Sequence, residues 1–446
     1  MFHKVVVANR GAVAVRVLRA LRSLLIRSVA VYSVADRGAC YLAEADETYE
    51  IGAGPARDSY LNQEVLLEVI RQSRADGLHP GYGFLAESPS FAVRVQETGA
   101  TFIGPSHSWI RILGHKVQAR ELIASCGLPV GRGSGALSEI PEAVLAAARE
   151  IGYPVLVKPA AGGGGIGMIS VTAETQILGA VERARSLAAK SFSDPEVYLE
   201  KQIERPRHVE FQVLGDRHGA LRHLFERDCT VQRRHQKVIE EAPAPRLARS
   251  KVDQQADAVA GALGKMGYDN LGTVEMLLSP EGEFSFLEMN TRLQVEHGVT
   301  EEITGIDLVV AQIRSAAGEH LDSILPEALM IKGHAIQARI YAEDPIRFLP
   351  SPGRLTVFRP PHHSRIRIET GYAEGQEVTP YYDPLLAKMI SWGTDRSQAL
   401  DLLLEGLEEF AIQGVKNNIP ALLRVLRSES FRAGEFNTGL MAQVLS

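Results

Sequence analysis

The chain has little cysteine: Cys40, Cys126 and Cys229 stand far apart along 446 residues. So odd and scattered a set excludes a disulfide framework and has no zinc-ligand spacing, and it fits a reducing compartment. No apolar run is long enough to span a bilayer. The opening residues, Met1 to Ala8, lack the charged segment, long apolar core and small-residue cleavage site of a secretory signal, so the expected location is the cytoplasm. Charge of one sign is also missing. With 48 basic and 54 acidic residues the formal net charge is -6, spread without a basic stripe. That argues against nucleic acid or an anionic membrane as the main partner and makes any anion site local. No internal repeat or low-complexity segment occurs.

What is present is an ordinary globular composition, 45% hydrophobic and 23% charged with 40 glycines. The length exceeds what one hydrophobic core organises, so two or three units around a shared cleft are expected. Lys4 to Ala8 reads as a buried strand, Ala12 to Ser23 as a helix and Val29 to Ser33 as a second strand, a parallel βαβ opening. His79-Pro80-Gly81-Tyr82-Gly83 marks a turn, Phe102 to Pro105 closes another strand, and a first unit spans about 1–113. Residues 130–204 read as a small mobile lid: a helix at 141–151, strand Pro154 to Lys158, a glycine loop, a second helix and strand Val197 to Lys201. Strand-like Val209 to Leu214, a helix, a hairpin from Thr273 to Asn290 and a helix from Ser397 to Phe410 follow. The chain is thus expected to be α/β and α+β.

Lys158 leads from a strand end into Gly162-Gly163-Gly164-Gly165-Ile166-Gly167. Glycines let backbone N–H groups approach a polyphosphate, and the lysine adds positive charge; no Gly-Lys-Ser/Thr follows, so this is not a P-loop. A functionless surface loop is the alternative. In the hairpin, symmetric pairing about Pro280-Glu281-Gly282 sets Glu275 opposite Glu288, with Asn290 on the same side as Glu288. Opposed carboxylates repel without a cation between them, and their hard oxygens suit Mg²⁺ or Mn²⁺ on nucleotide phosphates; solvated acids on a hairpin edge are the alternative. Directly behind come Arg292, Gln294, Val295, Glu296 and His297. An arginine fork suits a planar oxyanion and a nearby carboxylate can take a proton, unless the group is a salt-bridged structural corner. Arg233-Arg234-His235-Gln236-Lys237 also reads as a solvated charge run. For Cys229 a buried small side chain is the default, and His218, His223, His362 and His363 have no metal spacing.

Together the ordered motifs Ala8-Asn9-Arg10-Gly11, His79 to Leu85, Lys158 with its loop, Arg207 to Glu210, Glu226 to Cys229, Gln232 to Lys237, Glu288 to Arg292 with Gln294 to His297, and Ala342 to Pro345 resemble the biotin carboxylase family of ATP-grasp enzymes over essentially the whole chain. The resemblance implies a Rossmann-like N-terminal domain at 1–113, an ATP-grasp linker and lid at 114–204, an ATP-grasp core at 205–330 and a C-terminal biotin carboxylase domain at 331–446. It implies ATP, Mg²⁺ or Mn²⁺, and biotin carried on a separate protein. Nucleotide contacts match Lys116, Lys158, Gly163, Gly164, Gly165, Glu200, Lys201, Ile203, His208, Gln232 and His235, and the metal site matches Glu275, Glu288 and Asn290. Lys237, Arg292, Gln294 and Val295 match the bicarbonate pocket and Glu296 the base that deprotonates bicarbonate. Arg339 matches the residue holding the biotin enolate, and Tyr82 a further substrate position.

The implied chemistry is phosphorylation of bicarbonate to carboxyphosphate, whose breakdown gives CO₂ for biotin; such phosphoryl transfer needs positioning and charge neutralisation. The implied assembly is a homodimer working with a biotin carboxyl carrier protein and a carboxyltransferase on separate chains, as in acetyl-CoA carboxylase of fatty acid biosynthesis. Phe358 to Lys388 resembles pyruvate and acyl-CoA carboxylases equally well. Ala12, Ile166 and Gly298 depart from the family's glutamate, arginine and proline; Ile166 removes a phosphate contact from the lid. Another ATP-grasp ligase and a non-catalytic scaffold paralogue are the rival readings.

Overall fold

The computed structural model describes residues 1–162, 165–192 and 194–446. Five parallel strands open the chain: β1 (Lys4–Val7), β2 (Arg27–Tyr32), β3 (Glu47–Glu50), β4 (Gly77–His79) and β5 (Thr101–Phe102), in the order β3-β2-β1-β4-β5. Helix Gly11–Ser23 is the crossover from β1 to β2, as the apolar spacing predicts. Val5, Val6 and Val7 are wholly buried because elements cover both faces of this sheet, which is why β1 reads as a continuous apolar run. The loops after the adjacent strands β1 and β4 carry the first two motifs and are tied together. Asn9 Nδ2 donates to the carbonyls of Pro80 at 2.7 Å and Tyr82 at 2.8 Å, and the Gly81 N–H donates to His79 Nδ1 at 3.0 Å.

A second, antiparallel sheet is built from β6 (Gly133–Ala136), β7 (Val155–Pro159), β8 (Ile169–Val171) and β9 (Val197–Lys201), in the order β6-β9-β7-β8. Helices Pro141–Ile151 and Ile177–Phe192 pack on it around Val144, Ala148, Val157, Ala180, Ala184 and Leu199, a core separate from the others. The segment expected as a lid therefore has its own hydrophobic support.

The largest sheet holds β10 (Arg207–Gly215), β11 (Leu221–Arg233), β12 (Gln236–Ala242), β13 (Leu271–Leu278), β14 (Phe284–Asn290) and β15 (His334–Tyr341). After two short ribbons, β16 (Gly353–Arg354) with β19 (Glu377–Val378) and β17 (Val357–Arg359) with β21 (Ala411–Gln413), β18 (Ile366–Thr370) and β20 (Leu385–Gly393) complete it. Its order is β14-β13-β10-β11-β12-β15-β20-β18, antiparallel throughout, and pairing of β12 with β15 joins the chain on either side of position 330. The hairpin register is the expected one: Glu275 faces Glu288 and Thr273 faces Asn290. Glu210 pairs with Glu275 on one side and Arg227 on the other, so Arg227, Glu210, Glu275 and Glu288 form one row across four strands. Among the described residues no helix is long and apolar enough to cross a membrane.

The chain just beyond β18 packs against the first turn of helix Gly11–Ser23 through two glycines. A Cβ on Gly371 would lie 2.3 Å from the Gly11 backbone, which has no side chain to give way. Gly371→Ala is expected to cost about 1–3 kcal/mol of stability and lower the urea midpoint. Gly261→Ala, in helix Arg249–Met266 with open space at the Cβ, is expected to raise stability by about 0.5–1 kcal/mol in the same measurement.

Candidate active site

A cavity of about 790 Å³ lies between the four-stranded sheet and the eight-stranded one. Lys158, Gly165, Glu200, Lys201 and Ile203 line it from the first; His208, Gln232, His235, Lys237, Glu275, Glu288, Asn290 and Arg339 line it from the second. Lys116, Arg292, Gln294 and Val295 complete the wall. Strand periodicity accounts for the convergence, since alternate residues of β10, β13 and β14 face the same way.

Lys237 is the centre of the polar part. Its Nζ donates to Glu210 Oε2 at 2.5 Å, Glu275 Oε1 at 2.6 Å and Glu296 Oε1 at 2.7 Å. Burial alone would lower the ammonium pKa, but the charges of Glu210, Glu275 and Glu296 raise it well above its ordinary value. Arg339 forms the other half of the cluster: its Nε donates to Glu240 Oε1 at 2.5 Å and its Nη2 to Glu296 Oε2 at 2.9 Å. Glu296 is fully buried behind the cavity wall, between these two cations. Burial pushes its pKa up, and Lys237, Arg339 and Arg227 together pull it well below the carboxylate range. Glu240 moves the opposite way: burial raises it, Arg339 opposes, and the charge of Glu296 adds to the rise.

At the hairpin, Asn290 Nδ2 donates to Glu275 Oε1 at 2.8 Å, His208 Nε2 lies 2.9 Å from Glu275 Oε2, and Lys116 lies 3.5 Å from Glu288. Arg292 is fixed by Glu87 Oε2 at 2.8 Å, Asn290 Oδ1 at 2.7 Å and Gln294 Oε1 at 2.9 Å. On the opposite wall Lys158 pairs with Glu200 at 3.0 Å, and Lys201 donates to the carbonyls of Gly152 and Tyr153 at 2.9 and 2.7 Å. Gly165, at φ +76°, passes so close to His235 that a Cβ would come within 2.9 Å of its side chain. Paired carboxylates and an amide oxygen inside a ring of lysines and arginines form a hard-oxygen donor set, which fits Mg²⁺ or Mn²⁺.

The remaining sequence candidates fall elsewhere. Gly163 and Gly164 lie outside the described residues. Tyr82 is not on the cavity wall; its side chain is half-buried against the N-terminal core and its carbonyl is taken by Asn9. The basic run divides: Arg233 pairs with Glu343 at 2.9 Å, whereas Lys237 is drawn into the cavity. Cys229 is buried with its Sγ 3.9 Å from Glu296 Oε1, and burial with the charge of Glu210 pushes its thiol up, so it is no nucleophile. His218 stacks on His320, and His223 lies 3.2 Å from Asp257.

Sequence reasoning assigned no role to Glu210, Arg227, Glu240 or Glu87. Arg227 is fully buried and donates to Glu210 Oε1 at 2.5 Å, Gln212 Oε1 at 2.7 Å and Thr300 Oγ1 at 2.9 Å. His208, Glu210 and Gln212 alternate along one strand, a period-two polar stripe inside a buried strand that was the available signal.

Three family models match in succession: the biotin carboxylase N-terminal domain over residues 1–110, the ATP-binding domain of the carbamoyl-phosphate synthase L chain over 115–324 and the biotin carboxylase C-terminal domain over 337–443. A pyruvate carboxylase subunit from Methanothermobacter thermautotrophicus is 46% identical over 98% of this chain and 89% of its own. Biotin carboxylase 2 of Bacillus subtilis is 46% identical over 100% of both chains. Among solved structures, the biotin carboxylase domain of Hydrogenobacter thermophilus 2-oxoglutarate carboxylase, a dimer in complex with ADP, magnesium and bicarbonate, is similar with a TM-score of 0.96 and 42% identity. That match covers 100% of this chain and 99% of the other. The chain belongs to the biotin carboxylase family.

Burial pushes His79 down to about 3, and burial with the charge of Lys388 does the same to His297. The folded state therefore keeps both rings neutral where the unfolded chain protonates them, between about pH 6.5 and 3. Unfolding takes up protons in that window, so stability falls with pH by up to about 1.4 kcal/mol per unit per ring. Glu301, held down to about 2 against its burial by His297, Arg16 and Arg367, continues the loss below about pH 4.5. Urea midpoints should change little from pH 7.5 to about 6.5 and fall from there to pH 4.5; a flat profile over pH 6.5 to 5 contradicts buried neutral histidines.

Proposed function

We propose that this chain carboxylates biotin held on a separate carrier protein, spending ATP and taking its carbon from bicarbonate. The observation that carries the reading is Glu296, fixed at 2.7 Å from Lys237 and 2.9 Å from Arg339. One carboxylate thus joins the cation suited to a carbonate anion and the cation suited to a biotin enolate.

In the resting cluster Lys237 and Arg339 hold Glu296 ionised. An anion arriving beside Lys237 and Arg292 shares those positive charges, and less of their field then falls on Glu296. Its proton affinity rises when the substrate is in place, so Glu296 takes the bicarbonate proton. The carbonate oxygen attacks the terminal phosphorus of ATP, the bond to ADP breaks, and carboxyphosphate forms. Lys116, Lys158, Lys201 and His235 hold the nucleotide, with Glu200, Ile203, His208 and Gln232 around it. Glu275, Glu288 and Asn290 would hold Mg²⁺ or Mn²⁺, which supplies charge neutralisation on the phosphates. Carboxyphosphate breaks down to CO₂ and phosphate, the phosphate removes the biotin N1 proton, and Arg339 holds the enolate oxygen while N1 attacks CO₂. The sheet-supported lid, closing over the cavity, keeps water out.

This reading uses the cavity residues for ATP, bicarbonate and biotin, and we assign the choice of the final acceptor to a carboxyltransferase partner. Relatives are named for pyruvate, 2-oxoglutarate and methylcrotonoyl-CoA carboxylation, so acetyl-CoA is one candidate acceptor beside these. We place the chain in a homodimer, as in the Hydrogenobacter thermophilus domain dimer.

ADP release with bicarbonate should rise when free biotin is added, vanish on chelation with EDTA and return with Mg²⁺. Glu296→Ala and Arg339→Ala should each lower the biotin-dependent rate by about 10²-fold or more. ATP turnover indifferent to biotin would point instead to another ATP-grasp ligase, and no turnover at all to a scaffold.

A further inference from the structure

Gln294 and Val295 line the cavity and Glu296, the proposed base, stands directly behind them, yet this segment lies outside every strand and just ahead of helix His297–Thr304. Two fully buried side chains hold its backbone. Lys388, on β20, donates from Nζ to the Val295 carbonyl at 2.8 Å. The His297 ring places Nδ1 2.7 Å from the Gln294 carbonyl, which also accepts the His297 backbone N–H at 3.3 Å. A carbonyl accepts only from a protonated nitrogen, so His297 is the Nδ1–H tautomer. Lys388 pairs with Glu369 on the neighbouring strand, and Glu369 is also met by Arg367 and by Arg16, whose Nε lies 3.7 Å away. In the sheet Lys388 is flanked by Arg339 on one side and Glu369 on the other.

A lysine with no exposed surface costs free energy that an apolar residue of its size avoids, even when it is paired. What it provides here is a direction. Within one planar trans peptide the C=O and N–H point opposite ways. Holding the Gln294 carbonyl on the protein side turns the Val295 N–H toward the cavity that Val295 lines. Holding the Val295 carbonyl sets the next peptide plane, from which Glu296 projects. We propose that Lys388, with Glu369 as its countercharge, and His297 are positioning residues for bicarbonate, fixing two successive peptide planes so that the Val295 N–H and the Glu296 carboxylate face the anion. The inference rests on the functional reading above and deepens it.

The test uses the full chain, with bicarbonate KM and kcat taken from ATP turnover, Mg-ADP binding taken by calorimetry, and melting curves. The double substitution Lys388→Met with Glu369→Gln removes both buried charges and leaves neither orphaned. It should raise the bicarbonate KM by ~10-fold or more, while the Mg-ADP affinity moves less than the KM does. His297→Leu should raise the bicarbonate KM in the same direction, and His297→Asn, whose amide N–H can replace Nδ1–H, should restore most of it. A folded double variant or His297→Leu with a wild-type bicarbonate KM overturns the proposal, as does equal loss of Mg-ADP affinity. If the double variant does not fold, the Leu-against-Asn contrast at position 297 decides alone, equal KM values overturning it. A wild-type enzyme without bicarbonate-dependent turnover overturns the functional reading, and the positioning role with it.

Discussion

One ammonium group holds this site together. Lys237 lies within 2.7 Å of carboxylates from β10, β13 and the segment before helix His297–Thr304. Without it three negative groups would share a low-dielectric space, where repulsion and desolvation act in the same direction. Arg227 and Arg339 extend the same arrangement on either side, so the cavity wall is a lattice of alternating charge. In the proposed reaction an anion or a magnesium-nucleotide would meet groups whose countercharges are already present, and binding would redistribute those contacts. Such preorganised charge acts on a developing transition state without reorganisation at the moment of reaction.

The same lattice explains how two carboxylates only one arginine apart acquire different characters. Both are fully buried, which raises each; Glu296 touches two cations and is held ionised, while Glu240 has Arg339 alone and the charge of Glu296 beside it, and is pushed up. Their environments, not their chemistry, separate them. The row Arg227-Glu210-Glu275-Glu288 shows how the fold delivers this: four strands in register place their charges side by side before any loop is involved.

Elements with strong periodicity were legible in the sequence. The β1-helix-β2 opening, the Glu275–Glu288 register and the strand carrying Lys158 follow from apolar spacing and turn chemistry, and their ends agree to within a few residues. Two kinds of information were not legible. Partners that meet across distant segments, such as Arg16 with Glu301 or Arg292 with Glu87, leave no local trace because the pairing is made by tertiary packing. The fate of the basic run was equally hidden: a tight turn at Arg234 and His235, both at positive φ, sends Arg233 and Lys237 to different partners. A string of five polar residues cannot disclose that it is a hairpin tip. Glu210 and Arg227 were within reach, because polar residues at alternate positions of an otherwise apolar strand need a buried reason.

In the sheet order Lys237 on β12 and Glu275 on β13 are three strands apart, a separation of about 14 Å in a flat sheet. Their side chains nonetheless meet at 2.6 Å. The four strands from β13 to β12 therefore curl, so that residues at the two ends of this part of the sheet face one another across a trough. Over the trough sits the small sheet, whose side chains pack into a cluster distinct from the one beneath β10, β13 and β14, so the two sides of the cavity are built from separate cores.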